Sequence, residues 1–155
     1  MSTAIGSDHA GVELKEEIKR FLEEEGVSFV DMGPDGTDSV DYPDYGAKVA
    51  ELVSKGEAER GILICGTGIG MSIVANKFPG VRAALCNEPL SAFLSRRHND
   101  SNILVMGGRL VGKTMAREIV KSWLGTPFEG GRHEIRLKKI TVIEGKQKKD
   151  AAGRP

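Results

Sequence analysis

The chain has 155 residues, with 22 basic and 22 acidic side chains and a formal net charge of zero. This balance excludes a protein that binds nucleic acid through its overall charge, and the length favours one domain. Two cysteines are too few for a disulfide framework, and the N-terminal stretch has no basic and apolar signal pattern. No apolar run approaches the ~20 residues that a membrane span needs. We therefore expect a cytoplasmic protein that binds neither nucleic acid nor a membrane.

Short β-rich runs alternate with helical patterns along the chain. Helices are predicted between the strands, with stops at Gly26 and Gly56, and a last helix begins near Arg132. This alternation predicts an α/β fold, a parallel sheet with helices on both faces, in one domain over residues 1–145. Residues 146–155 are predicted to form a disordered charged tail. The predicted strands cover residues 3–7, 27–32, 61–65, 80–86 and 102–107.

Polar or reactive side chains follow each of the five predicted strands. The carboxyl ends of parallel strands meet at one edge of a sheet, where such folds bind ligands. We therefore expect a functional site along this edge, although Asn87 would also serve as the N-cap of the next helix. In chain order the residues at the strand ends are Asp8 with His9, Asp31, Cys65 with its glycine loop, Cys86 with Asn87, and Gly107 to Arg109.

Two further groups of side chains are candidates for ligand contacts. His98 lies near the end of a predicted helix. At that position an imidazole could equally stabilise the helix end or contact a ligand. Arg132 and Arg136 share a helix face and could clamp a phosphate, or pair with nearby glutamates on the surface. Residues 132–155 carry five more positive than negative charges, which favours an anion or an acidic neighbour. No histidine or cysteine pair stands at ligand spacing, so no metal site is predicted.

Two glycine-rich stretches suggest nucleotide binding. The loop at residues 66–70 fails the dinucleotide pattern, because Met71 stands where the third glycine is needed. The stretch GGRLVGKT at 107–114 satisfies the P-loop pattern and follows a predicted strand. Its bulky residues and its place at the last strand argue against a P-loop NTPase, which remains an alternative on the motif alone.

The cysteine before the first glycine loop indicates a chemistry. Cys65 ends a predicted strand and faces backbone N–H groups that favour anions and could hold a developing oxyanion. A base beside such donors suits removal of a proton next to a carbonyl. If His98 opens a sugar ring and the arginine pair holds a phosphate, these parts predict an aldose–ketose isomerase acting on a sugar phosphate. That chemistry needs neither a redox cofactor nor a metal.

Several motifs resemble, in the same order, those of the type B ribose-5-phosphate isomerases, a family that also includes allose-6-phosphate and galactose-6-phosphate isomerases. The resemblance extends from about Ala4 to Ile143. It implies a three-layer α/β/α Rossmann-like sandwich with a five-stranded parallel sheet and a C-terminal helix. It also implies a homodimer or a dimer of dimers with active sites between subunits, and a place in the pentose phosphate pathway. The motifs are SDHAG, DYPDY, GILICGTGIGMSIVANK, RAALCNEPLSAFLSRRHND, NILVMGGRLVG and FEGGRHEIR.

The resemblance also assigns roles to residues of this sequence. Cys65 is the base that moves a proton between C1 and C2, with help from the Thr67 hydroxyl. Asp8 and His98 are placed for ring opening and sugar contacts, and Asn99 binds near the reacting oxygens. No cofactor or metal is implied. The anion hole consists of Gly66, Thr67, Gly68 and Gly70. The remaining substrate contacts are His9, Arg109, Arg132 and Arg136 for the phosphate, and Tyr42 for the sugar.

The leading hypothesis is therefore the interconversion of ribose 5-phosphate and ribulose 5-phosphate through an enediolate. The alternatives are an allose-6-phosphate or galactose-6-phosphate isomerase, a P-loop NTPase, and a non-catalytic sugar-phosphate sensor. The resemblance weakens the P-loop hypothesis, because GGR belongs to the family's motif whereas Lys113 and Thr114 need not.

Overall fold

The computed structural model describes residues 2–153, which form a five-stranded sheet with helices on both faces. The predicted α/β fold with parallel strands and a C-terminal helix is confirmed. The strands are β1 (Thr3–Ser7), β2 (Phe29–Asp31), β3 (Arg60–Cys65), β4 (Ala83–Leu85) and β5 (Ile103–Gly107). The helices are α1 (Val12–Glu24), α2 (Tyr42–Lys55), α3 (Ile69–Ala75), α4 (Pro89–Asn99), α5 (Lys113–Gly125) and α6 (Arg132–Ala152), and a 3₁₀ turn at His9–Gly11 precedes α1.

The order of the strands places the candidate site. All pairs are parallel, in the order β2-β1-β3-β5-β4. The next strand in the chain after β1 is therefore added on one side of the sheet, beside β1, whereas the strands after β3 are added on the other side, beyond β3. Ligands of open parallel sheets bind at such a switch point, beyond the carboxyl ends of the strands. Because Asp8 follows β1 and Cys65 ends β3, both residues lie at the centre of that edge.

Side chains alternate along the central strand and divide the core into two layers. Ile62 and Ile64 pack with α1, α4 and α5, including the fully buried Trp123. Leu63 and Cys65 pack on the other face, with α2 and α3. All six residues of β3 are buried, as expected of a strand that is covered on both faces. Packing on both sides therefore fixes the position of Cys65.

Two edge strands are shorter than predicted, and α4 has a different cap. Both β2 and β4 have three residues, because each pairs with only one neighbour. The N-cap of α4 is Glu88, whose carboxylate accepts the N–H groups of Leu90 and Ser91 at 2.7 and 2.6 Å. The prediction of Asn87 as the cap is wrong, because its side-chain oxygen instead accepts the N–H of Gly107 at 3.0 Å.

Helix α6 is longer than the sequence predicted. It continues through residues 146–152, where a disordered tail was predicted. Lysine, glutamine and alanine in this segment have good helix propensity, and Gly145 does not interrupt the helix. Arg154 and Pro155, the end of the predicted tail, lie outside the described residues. No helix within residues 2–153 is both long and apolar enough to cross a bilayer.

One side of α6 remains uncovered in the single chain. Ile135, Ile140, Val142 and Ile143 are each more than half exposed. A groove of about 760 Å³ separates α6 from the segment that connects α3 to β4. Exposed apolar side chains beside a groove are typical of a surface that another protein covers.

Candidate active site

Residues from three adjacent strands meet at the carboxyl edge of the sheet. The N–H of Asp8 donates to the carbonyl of Ile64 at 3.1 Å. The Asp8 carboxylate accepts the N–H of Gly11 at 3.0 Å and so caps the 3₁₀ turn. The N–H of Arg109 donates to the carbonyl of Gly66 at 3.0 Å. The turns after β1 and β5 are therefore tied to β3 and to the glycine loop that follows it.

Cys65 presents a free thiol to this loop. The residue is 4% exposed, and its Sγ accepts the N–H of Gly68 at 3.2 Å. This hydrogen bond directs the sulfur toward the loop. The other thiol, Cys86, lies in the first core layer, where burial raises its pKa and keeps it neutral. The two cysteines therefore differ in what they can do, and only Cys65 stands at the candidate site.

The glycine loop, residues 66–70, carries unpaired backbone donors. Within the described residues, the N–H groups of Gly66, Thr67 and Gly70 have no acceptor. Gly68 has φ of 80°, and a Cβ there would lie 3.0 Å from the carbonyl carbon of Met106, so only glycine fits. The exposed Thr67 hydroxyl accepts the N–H two residues further on at 3.3 Å. The loop beside the thiol therefore has free N–H groups that can donate to an anionic oxygen.

Tyr42 borders the glycine loop, and His9 contacts the segment that leads to Tyr42. A Cβ on Gly70 would lie 2.6 Å from the Tyr42 ring, so glycine at this position lets the ring rest against the loop. The Tyr42 side chain stays partly exposed at the start of α2. His9 Nδ1 accepts the N–H of Val40 at 3.2 Å, which ties the segment before α2 to the 3₁₀ turn. Tyr42 therefore lies where it would contact a ligand of the loop.

The other predicted site residues lie at the opposite edge of the sheet. His98 and Asn99 end α4, and the Asn99 carbonyl accepts Nε of Arg82 at 3.2 Å, just before β4 begins. Arg132 and Arg136 are exposed on the first turns of α6. A strand of five residues, such as β5, spans about 16 Å. One chain therefore holds these four residues far from its own glycine loop.

His98 has close partners that could hold a metal. Its ring stacks on His133, with centroids 4.3 Å apart and 11° between the planes. Glu129 Oε2 is 3.8 Å from Nε2 of each ring, and the three ligand atoms lie within 4.8 Å of one another. Two histidines and a glutamate form a known zinc donor set. Parallel stacked rings, however, direct their lone pairs along parallel lines, so both could bind one ion only after a ring had turned.

Sequence reasoning missed Glu129 and His133 as neighbours of His98. They lie more than 30 positions away along the chain, so no local spacing connects them. The motif FEGGRHEIR, which contains both, was the one signal that could have indicated them.

The stretch that matches the P-loop pattern does not form a phosphate-binding loop. The carbonyl of Gly107 accepts the N–H groups of Leu110 and Val111 at 3.0 and 2.9 Å. These amides are therefore used inside a tight turn. Lys113 Nζ pairs with Glu13 at 2.7 Å instead of pointing to that turn. The structure thus gives no support to nucleotide binding at this stretch.

The structure combines a parallel α/β sheet with a cysteine and a glycine loop at the carboxyl end of the central strand. These features define a site in which a thiol lies beside a loop of backbone N–H donors. The sequence model of the family described as "Ribose/Galactose Isomerase" matches residues 3–140. The chain belongs to this family of sugar isomerases.

Individual relatives agree with the family. The chain is 53% identical to Ribose-5-phosphate isomerase B of Escherichia coli over 91% of its own length and 95% of that protein. It is 56% identical to the putative sugar phosphate isomerase YwlF of Bacillus subtilis, covering 94% and 99%. The structure of Clostridium thermocellum Ribose-5-Phosphate Isomerase B superposes with a TM-score of 0.93 at 54% identity, covering 95% and 99%. The family that the motifs predicted is therefore confirmed.

Proposed function

We propose that the protein interconverts ribose 5-phosphate and ribulose 5-phosphate. The observation that carries the proposal is Cys65 Sγ beside a loop with unpaired N–H donors. A base next to an oxyanion site is what proton transfer beside a carbonyl requires. Similarity to ribose-5-phosphate isomerases supports the choice of a pentose phosphate.

The proposed chemistry moves a proton between two adjacent carbons. The Cys65 thiolate removes the proton from C2 of the open-chain aldose, and the electrons of that bond form the C1–C2 double bond of an enediolate. The N–H groups of residues 66–70 stabilise the negative oxygen. A proton passes from O2 to O1 with help from the Thr67 hydroxyl, and the Cys65 thiol returns its proton to C1. The carbonyl then lies at C2, and no electron is gained or lost overall.

The substrate contacts come from both edges of the sheet. Asp8 and His98 open the furanose ring, and Asn99 binds near the reacting oxygens. Tyr42 closes over the sugar beside Gly70. The phosphate is held by His9, Arg109, Arg132 and Arg136, and the three guanidinium charges suit a dianion.

A site that uses both edges requires two chains. We therefore propose a homodimer in which the glycine loop of one subunit faces the α4 and α6 residues of the other. A dimer of dimers would repeat this unit. The exposed apolar side chains of α6 and the groove beside it support the proposal, because a second subunit would cover them. Residues 1–145 then act as a single isomerase domain, and unpaired cysteines suit the cytoplasm.

Complementation tests the shared site. Cys65→Ala chains and chains with Arg132→Ala and Arg136→Ala are each expected to be nearly inactive. After equal amounts are unfolded together and refolded, half of the dimers are mixed, and each mixed dimer has one intact site. The mixture should therefore regain about one quarter of the wild-type activity. A mixture as inactive as the separate variants would show that each site belongs to one chain.

A panel of sugar phosphates tests the reaction and its rival. In EDTA, kcat/KM is expected to be highest for ribose 5-phosphate, followed by allose 6-phosphate and galactose 6-phosphate. A hexose phosphate in first place would support the alternative that the family's description includes. Binding of ribose 5-phosphate without exchange of the C2 proton in deuterated water would indicate a sensor instead of an enzyme.

A further inference from the structure

The two stacked imidazoles differ in exposure. The side chain of His98 is 35% exposed, whereas that of His133 is only 6% exposed. The rings are nearly parallel, with centroids 4.3 Å apart. His98 is therefore the ring that a ligand can reach, and His133 lies behind it. The Nε2 atom of His133 is buried and has no hydrogen-bond partner within the described residues.

A short segment holds this pair in place. The N–H of Glu129 donates to the carbonyl of Arg97 at 3.0 Å, and Arg97 Nε donates back to Glu129 Oε2 at 2.9 Å. The N–H of His133 donates to the carbonyl of Gly130 at 3.1 Å. Arg97 directly precedes His98 in α4, so the start of α6 is fixed to the end of α4. The position of the His98 ring thus depends on residues from two helices.

The charges around the pair favour one neutral ring and one anion. Burial, followed by the nearby His98, Arg132 and Arg136, lowers the pKa of His133, so this ring stays neutral at neutral pH. Hydrogen bonding from Arg97 lowers the pKa of Glu129, which stays ionised. His98 therefore has an uncharged ring against its face and a carboxylate near its Nε2 atom. The carboxylate favours an orientation of the His98 ring in which Nε2 is turned toward it.

We propose that His133 and Glu129 are positioning residues that hold His98 for opening the sugar ring, an inference that rests on the proposed function. In that step the C1–O4 bond of the furanose breaks and C1=O1 forms. O4 takes a proton from His98, and the anomeric hydroxyl gives its proton to the Asp8 carboxylate. Neither positioning residue touches the substrate. His133 fixes the plane of the His98 ring, and Glu129 fixes the direction of Nε2.

Substrates without a ring separate positioning from a general defect. D-Erythrose 4-phosphate has no free hydroxyl that could close a five-membered ring, so its isomerisation requires no ring opening. Ribulose 5-phosphate is also open-chain, and exchange of its C1 proton with deuterated solvent requires only the enediolate. If the protein does not isomerise the tetrose phosphate, this exchange serves as the open-chain reaction with which the rate on ribose 5-phosphate is compared. The variants are His133→Ala, His133→Phe and Glu129→Gln, with Glu134→Gln on the exposed side of α6 as the matched control.

His133→Ala is expected to lower kcat for ribose 5-phosphate by about 10-fold to 100-fold, the usual effect of a misplaced proton donor. The open-chain readouts should stay within about twofold of wild type, because the enediolate steps do not use His98. His133→Phe should restore most of the rate, since it keeps a planar ring behind His98. Glu129→Gln should lower the ribose 5-phosphate rate alone, by about 10-fold. Glu134→Gln should match wild type.

Three results would overturn the inference. These are equal losses with cyclic and open-chain substrates, no loss with either, or a phenylalanine variant as impaired as the alanine variant. Melting curves of each variant show whether the fold is kept. A wild-type protein inactive on every substrate would refute the proposed function instead. In that case NMR relaxation of the His98 ring still tests whether His133 positions it. His133→Ala should make the His98 ring more mobile, and unchanged mobility would contradict the positioning role.

Discussion

Cys65→Ala is expected to lower kcat for ribose 5-phosphate isomerisation by about 10²-fold to 10⁴-fold, the range that a positioned base contributes. The Sγ atom is directed at the glycine loop by the Gly68 N–H at 3.2 Å, so no other thiol can replace it. KM should change little, because the phosphate contacts lie elsewhere. The measurement is the initial rate of ribulose 5-phosphate formation by the purified variant.

Cys86 provides the matched control. It is only 2% exposed in the core, and burial keeps its thiol protonated by raising its pKa. Cys86→Ala is therefore expected to keep kcat within about twofold of wild type. Full activity in Cys65→Ala, or an equal loss in both variants, would refute Cys65 as the base.

Asp31→Asn is expected to lower the free energy of unfolding by about 3 kcal/mol, near the lower limit for breaking a buried ion pair. The Lys15 side chain is 0% exposed, and its Nζ lies 2.7 Å from Asp31. Without the carboxylate, this ammonium loses its closest counter-charge, and Glu16 at 3.6 Å compensates only in part. The Asp31 carboxylate also accepts the Gly33 N–H at 2.9 Å, so the segment leading to Val40 loses an anchor. Urea unfolding at neutral pH measures the change.

Compensation in a double variant controls this prediction. Adding Lys15→Met to Asp31→Asn removes the unpaired charge and should recover much of the lost stability, because an apolar side chain suits a buried site. Lys19→Met, which removes a 23% exposed partner of the same carboxylate, should cost only about 1 kcal/mol. If Asp31→Asn and the double variant are equally unstable, the buried lysine is not the cause.

The same ion pair makes the stability of the fold depend on pH in the acidic range. Burial alone would raise the pKa of Asp31, but hydrogen bonds from Lys15, Lys19 and the Gly33 N–H outweigh it and lower this pKa. A carboxyl group with a lowered folded-state pKa stabilises the protein above its unfolded value, near pH 4, and loses that contribution as the pH falls further. Stability of the wild type should therefore decline below about pH 4 more steeply than stability of Asp31→Asn.

The strand ends were predictable from the sequence because parallel topology brings them together. Alternating strands and helices indicated that Asp8, Cys65 and Arg109 would share one edge, and the structure places them there. Asp31 shows the limit of that reasoning. It stands at a strand end as the others do, yet its carboxylate pairs with Lys15 and Lys19. The position of Asp31 at a strand end was predictable from the sequence pattern, but its pairing with the two lysines was not.

Contacts across long sequence separations could not be predicted. His98 and His133 stack because α6 begins beside the end of α4, and no local spacing encodes that docking. The cap of α4 was mistaken for a similar reason. Asn87 is drawn to the amide of Gly107 on a neighbouring strand, which leaves Glu88 as the cap. Local propensity predicts which residues can cap a helix, whereas tertiary contacts select among them.

The separation of His98, Asn99, Arg132 and Arg136 from the glycine loop has a genetic consequence under the proposed homodimer. When a chain defective only in Cys65 pairs with a wild-type chain, one complete site still forms. That site combines the glycine loop of the wild-type chain with the arginines of the defective chain. A chain defective in both Cys65 and the arginine pair inactivates both sites of every mixed dimer. The double allele would therefore be dominant over wild type in mixed dimers, whereas each single allele would leave half of the sites active.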